Sequence, residues 1–190
     1  MGGLQLISTF PDGLCKDMSA QIKKHLAESQ LSSAFEGTQG MSFAFTEEGL
    51  EFLVNEFGFF KHFLDKALDL SKFNAFYLNA LLIENGGRVD LHVDCSLNGW
   101  LEKFQHADNV TILYLEVPGE GLGGELNLYD DEGEVLTFEP FEGGLISFDG
   151  NIAHSVNSFN SSQVRLSLVL ESYSLPVNLF KKVPGFFSFA

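Results

Sequence analysis

The stretch FNAFYLNALLIE, Phe73 to Glu84, divides the chain into two textures. Before it, apolar residues recur at helical spacing. From it onward, short β-type runs are separated by glycine and polar turns. The runs that follow are VDLHVD (89–94), VTILYLEV (110–117), ELNLYD (125–130), EVLTFEP (134–140), GLISFD (144–149), AHSVNSF (153–159) and VRLSLVLESY (164–173). Eight short strands after two helices predict a mainly β, α+β chain. The expected architecture is a sandwich or double-sheet jelly roll, with supporting helices on one outer face. Residues 1–190 are expected to form one domain, with helical support over 1–72, a jelly-roll core over 73–173 and a tail over 174–190.

Outward from that boundary, the first third reads as helical. GLCKDMSAQIKKHLAES (13–29) sets Leu14, Met18, Ile22 and Leu26 at four-residue spacing, one stripe of a helix. Thr46 is positioned to cap a second helix through EEGLEFLVNEFGFFKHFLDKAL (47–68), with Glu47 and Glu48 at its positive end. Phe52, Phe59, Phe60, Phe63 and Leu64 are its expected buried face. The tail LPVNLFKKVPGFFSFA (175–190) is broken by Pro176 and Pro184, and either docks on the core or forms an interface.

Of 190 residues 45% are apolar and 20 are phenylalanine, ample for one core that buries roughly 70% of the unfolded surface. No run of 18 apolar residues suggests a bilayer span. The N-terminus lacks a basic start and apolar stretch, and Leu6 occupies the place where a myristoylation signal needs Ser or Thr, so a cytoplasmic protein is expected. Eleven basic against 26 acidic residues give a net charge of −15, which disfavours polyanions such as nucleic acid. Cys15 and Cys95 lack CxxC spacing and predict no structural disulfide.

In VDLHVDCS (89–96), strand alternation puts His92 and Asp94 on one face and Leu91 and Val93 on the other. His154 opens a strand directly after FDGNIA, where a turn delivers it to a sheet mouth. Two histidines and one carboxylate on one side of an ion make the facial triad of non-haem ferrous oxygenases. Cys95, beside Asp94, reads either as a sulfur ligand or as a small buried hydrophobe. His25 and His62 are expected on solvated helix faces, and His106 on a surface loop.

HSVNSFNSSQVRLSLV (154–169) reads as a hairpin turning at Ser161–Ser162. That register sets Ser158 against Arg165, Val156 against Ser167 and His154 against Val169, so Arg165 and Ser167 share the face of His154. Arg165 would stand about 13 Å from His154 along the sheet, the span of a five-carbon diacid plus an arginine side chain. Such an arginine suits a two-pronged grip on the far carboxylate of a chelated 2-oxo acid. Alternatively Arg165, Ser167 and Glu171 form the solvent face of an amphipathic strand, with Val164, Leu166, Leu168 and Leu170 buried.

These motifs, with VTILYLE, GGELNLYD and EPFEGGLISFDGNIAHSV between them, resemble the 2-oxoglutarate- and Fe(II)-dependent dioxygenases, and most closely their prolyl-4-hydroxylase-like branch, over about residues 73–173. The resemblance implies a double-stranded β-helix in which His92, Asp94 and His154 hold Fe(II). It implies that Arg165 binds the distal carboxylate of 2-oxoglutarate, helped by Ser167, and that the Tyr114 hydroxyl supports the cosubstrate, although Tyr114 also reads as core filler. O2 is the implied co-oxidant and ascorbate a candidate reductant. Where the branch often carries a tyrosine ten residues before the first ligand histidine, Leu82 stands here, with Tyr77 or Asn79 as substitutes. The implied activity is hydroxylation of a peptide side chain, prolyl included, or of a small metabolite, with release of succinate. Asp94 argues against halogenation, because related halogenases place chloride where this carboxylate stands. The alternatives are a non-catalytic, metal-stabilised jelly-roll binding protein and, less favoured by the charge, a nucleic-acid demethylase.

Overall fold

The computed structural model describes residues 3–28, 37–130 and 132–189. Two antiparallel sheets face each other, a jelly roll whose inner space holds the candidate site. The larger runs in the order β1 (Gln5–Thr9), β8 (Gly144–Asp149), β5 (Asn109–Glu116), β10 (Arg165–Tyr173), β3 (Ala75–Ile83), β2 (Thr38–Thr46) and β11 (Phe186–Phe189). The smaller runs β4 (Val89–His92), β9 (Ala153–Val156), β6 (Leu126–Tyr129) and β7 (Val135–Phe138). All eight expected strands are present, and the mainly β reading with helices on one outer face holds.

The larger sheet carries apolar residues on both sides because it separates two cores. Outward, Leu166, Leu168 and Leu170 of β10 pack with Phe76, Leu78, Ala80 and Leu82 of β3 against the helices. Inward, Ile83, Val110, Ile112 and Tyr114 meet Val89, Leu126 and Val156 of the smaller sheet. Each fully buried leucine contributes about 1.5–3 kcal/mol by leaving water. Helix α1 (Asp12–Glu28) presents Cys15, Met18, Ile22 and Leu26 to the outer core, and Ser29 of the expected helix lies outside the described residues.

Four expectations are corrected. The first third is not purely helical, since β1 and β2 lie within it; β1 is an exposed edge strand, and β2 is buried along most of its length. The second helix is interrupted: α2 (Glu47–Glu56) ends at Phe57, a 3-10 turn spans Gly58–Phe60, and α3 (Lys61–Ala67) follows. That break resets the helical phase, so Leu53 takes the buried position and Phe52 stays 52% exposed against Phe186. Thr46 does stand at the N-cap with extended backbone, but its hydroxyl makes no capping bond.

The fourth correction concerns topology. β9 and β10 do not form a hairpin, because β9 pairs with β4 and β6 in one sheet while β10 pairs with β3 and β5 in the other. The segment between them crosses the sandwich, touching down in one bridge between Phe159 and Gly123. Gly123 has φ +96°, and a Cβ there would meet Ser158 O at 2.4 Å, so the crossing needs glycine. The tail docks: Asn74 clamps Leu175 through two hydrogen bonds of 2.8 and 2.9 Å, α4 (Val177–Phe180) follows, and β11 pairs with β2. Among the described residues no helix is long and apolar enough to cross a membrane.

Candidate metal centre and its cavity

His92 and His154 are direct cross-strand partners in the smaller sheet, with ring centroids 4.3 Å apart. A bulge between Val89 and His92 brings them into register: two residues of β9 span what three of β4 span, so Asp90 and Leu91 both turn outward. Strict alternation therefore fails here, and Asp94 lies just beyond the strand end rather than on it. Asp94 Oδ1 is 3.3 Å from His92 Nε2, and Oδ2 is 3.5 Å from His154 Nε2. One ligand atom from each residue falls within 4.8 Å of the others.

Two features fit this trio to a divalent ion. Each imidazole is held through Nδ1 by a backbone carbonyl, Asp90 O at 2.9 Å for His92 and Ile152 O at 3.0 Å for His154. That contact favours the tautomer with a proton on Nδ1 and a lone pair on Nε2, the atom facing the carboxylate. In addition, Asp94 Oδ2 is buried without a hydrogen-bond partner among the described residues, a state that a bound cation relieves. Burial pulls His92 down, but Asp94 and the Asp90 carbonyl outweigh it and leave the imidazole above its ordinary value. Deeper burial keeps His154 below its own, against Asp94.

A cavity of about 510 Å³ extends from the trio between the sheets. On β10 the residues Arg165, Ser167, Val169 and Glu171 all line it, so the polar face of that strand is interior and the solvent-face reading is overturned. Arg165 is 1% exposed, with Nη1 3.4 Å from Ser167 Oγ and Cζ 5.1 Å from the Tyr114 ring centre. Its Nε has no hydrogen-bond partner, and among the described residues no carboxylate pairs with it. A buried guanidinium without a counter-charge is costly and calls for an anion. Tyr114 is fully buried, its hydroxyl makes no hydrogen bond of normal geometry among the described residues, and burial, opposed by the adjacent Arg165, pushes that phenol up to about 12.

Glu171 is the group that sequence reasoning missed. It is 2% exposed, and it accepts hydrogen bonds from Ser96 N at 3.0 Å, Ser96 Oγ at 2.5 Å and the Tyr173 hydroxyl. Burial, then Asp94, raise its carboxyl to about 8 against those donors. Its period-two relation to Arg165 was the available signal, because whatever faces inward at 165 also faces inward at 171.

The remaining candidates separate by position. Leu82 packs in the helix-side core, facing away from the cavity, whereas Tyr77, Asn79 and Leu81 of the same strand line it. Cys95 lines the cavity, half-buried, and is outside the ligand set. His62 is exposed, whereas His25, expected in solvent, is half-buried against Phe57 and Phe59, and His106 is half-buried as well.

No family model and no curated protein sequence matches the chain. Solved structures do. A prolyl-4-hydroxylase from Pseudomonas putida superposes with a TM-score of 0.62 at 18% identity, covering 92% of each chain. A viral collagen prolyl hydroxylase from Paramecium Bursaria Chlorella virus-1, solved with 2OG, gives 0.57 at 18% identity over 91% of this chain and 96% of its own. A prolyl hydroxylase from Trichoplax adhaerens, in complex with a hypoxia inducible factor peptide fragment, gives 0.57 at 15% identity over 91% and 84%. At such identities the likeness is one of fold: this chain has the jelly roll of the prolyl hydroxylases, and within it an HxD…H trio.

Proposed function

We propose that the protein is an Fe(II)- and 2-oxoglutarate-dependent hydroxylase. The observation that carries this reading is the buried, unpaired Arg165 lining the same cavity as His92, Asp94 and His154. When bound, ferrous iron supplies the activation of O2 that converts 2-oxoglutarate to succinate and CO2, one oxygen atom entering succinate and the other a substrate C–H bond. The residues of the chain bind and orient. His92, Asp94 and His154 hold one face of the ion and leave the other open. Arg165 grips the distal carboxylate of the cosubstrate in a two-pronged, charge-assisted bond, and Ser167 steadies the guanidinium. Ile112, Leu126, Val156 and Val169 line the cavity with apolar surface that keeps bulk water out.

The substrate is a peptide side chain or a small metabolite. The Trichoplax enzyme's complex with a peptide fragment favours the peptide class, prolyl included. The test is succinate release from 2-oxoglutarate under O2, with Fe(II) and with ascorbate as reductant, in the absence of substrate and against peptide and metabolite pools. Asp94→Ala and His154→Ala each remove one of three protein ligands and should abolish both Fe(II) binding and turnover. Iron and 2-oxoglutarate binding without any succinate would instead identify a metal-stabilised binding protein.

A further inference from the structure

The two ends of the cavity hold a guanidinium and a carboxyl group, and among the described residues neither has an ion-pair partner. Arg165 and Glu171 stand six residues apart on the inward face of β10, about 20 Å along the strand. The metal trio lines the same cavity, and Ser96, two residues past Asp94, donates hydrogen bonds to Glu171. At the second end, Glu171 has only hydrogen-bond donors from Ser96 and Tyr173 as partners, and among the described residues no lysine or arginine pairs with it.

Charge balance extends the point, resting on the hydroxylase reading. A ferrous ion and Arg165 together offset Asp94 and both carboxylates of 2-oxoglutarate. The loaded cavity is then neutral, and Glu171, whose carboxyl burial and Asp94 hold up at about 8 in the empty protein, is a buried acid that an entering cation draws into its carboxylate form. The space beside Glu171 is also walled by aromatic rings. Tyr77 and Phe189 line the cavity with centroids 5.6 Å apart, and Trp100 braces Phe189 at 5.4 Å. A carboxylate flanked by aromatic rings attracts cations both by Coulomb force and through the ring quadrupoles. Phe189 is 39% exposed at the rim, so this end opens to solvent.

We infer that the Glu171 end of the cavity, walled by Tyr77 and Phe189, is the subsite for a singly cationic group of the primary substrate, an amine or alkylated ammonium. The cosubstrate takes the Arg165 end, and the substrate enters over Phe189 with its positive charge beside Glu171. A C–H bond a few carbons from the cation then lies near the open face of the metal.

The experiment uses protein loaded with Mn(II), which relaxes the protons of any small molecule held in the cavity. Two cation–neutral pairs of matched shape are compared: choline with 3,3-dimethylbutan-1-ol, and n-butylammonium with n-butanol. Each is titrated with and without 2-oxoglutarate, whose own binding is measured first, so failure of the hydroxylase reading is read separately from failure of the subsite. At least one cation should bind saturably and ten-fold or more tighter than its neutral partner. Glu171→Gln should weaken it about ten-fold. Because that variant also disturbs the Ser96 turn, Phe189→Ala, at the rim, should weaken it about three-fold with the fold undisturbed. Equal binding of cation and neutral partner, no saturable binding of either cation, or unchanged affinity in both variants would each overturn the subsite.

Discussion

The two faces of β10 share one backbone and are chemically opposite. Leu166, Leu168 and Leu170 point outward into the helix-side core, while Arg165, Ser167 and Glu171 point into the cavity. All six are buried, so burial alone does not tell them apart. The outward face gains free energy by leaving water. The inward face forgoes it, holding a guanidinium without a counter-charge and a buried carboxyl group away from solvent, which raises the energy of the empty protein. The lesson is that an alternating strand between two packed layers can put its polar side indoors, where it lines a cavity.

The largest effect should come from the outward face. Leu168 is fully buried, and Leu168→Ala should cost about 2–5 kcal/mol, transfer and cavity terms together. Urea denaturation reads the loss. Under conditions where the variant stays folded, its affinity for 2-oxoglutarate should remain within about three-fold of the parent. A large loss of binding with little loss of stability would break the division between the faces.

The inward face should behave in reverse. Arg165→Ala should weaken 2-oxoglutarate about 100-fold, close to 2.7 kcal/mol, while Fe(II) binding persists. Lysine should restore only part, since one ammonium cannot make the two-pronged contact. Arg165→Met should make the ligand-free protein more stable by ~1–3 kcal/mol, because an apolar side chain of similar volume replaces a buried charge. Calorimetry for binding and thermal melts for stability separate these outcomes.

This division was half legible in the sequence. Period-two spacing put Arg165, Ser167 and Glu171 on one face, and spacing with chemistry picked out His92, Asp94 and His154. Periodicity says which residues share a face, but not which layer covers it, so for Arg165 alone the solvent reading is the stronger one, and only the nearby trio of His92, Asp94 and His154 tips it inward. The proposed hairpin failed for a related reason. A short turn-like segment joins neighbours within one sheet or crosses between two, and Ser161–Ser162 does not distinguish them. Arg165 faces His154 across the sandwich rather than along one sheet. β1 was invisible because QLIST is an exposed edge with no buried alternation. β2 was missed because burial nearly throughout TQGMSFAFT erases alternation, and β11 because its phenylalanines lie in a proline-broken tail.

A more gradual effect should appear with pH in the metal-free protein. Glu171 sits at about 8 when folded, above the ordinary carboxyl value that it regains on unfolding. Between those two values the folded chain holds a proton that the unfolded chain has released. Its contribution is thus complete below about pH 4.3, and stability falls as pH rises toward and through 8. Glu171→Gln should flatten that fall in urea denaturation curves taken from pH 5 to 8.5. The difference between parent and variant isolates Glu171 from the histidines that titrate in the same range. Identical slopes would remove Glu171 as the source.

The smallest effect belongs to Tyr114, and it decides between two roles. Among the described residues its buried hydroxyl makes no hydrogen bond of normal geometry, and Arg165 stands beside it with Cζ 5.1 Å from the ring. Leaving a buried hydroxyl unsatisfied costs about 1–3 kcal/mol, so Tyr114→Phe should stabilise the ligand-free protein, by ~1 kcal/mol once lost dispersion contacts are included. If the hydroxyl completes the cosubstrate site, the same change should weaken 2-oxoglutarate about three- to ten-fold, the worth of one hydrogen bond to a charged group. Ligand-induced stabilisation then shrinks even as the empty protein melts higher. If Tyr114 only fills the core against Phe138, whose ring lies 6.0 Å away, the melting temperature rises by the same increment with and without 2-oxoglutarate. Thermal melts of parent and variant across a 2-oxoglutarate series distinguish the two. Converging curves assign the hydroxyl to the cosubstrate, and parallel curves return Tyr114 to the core.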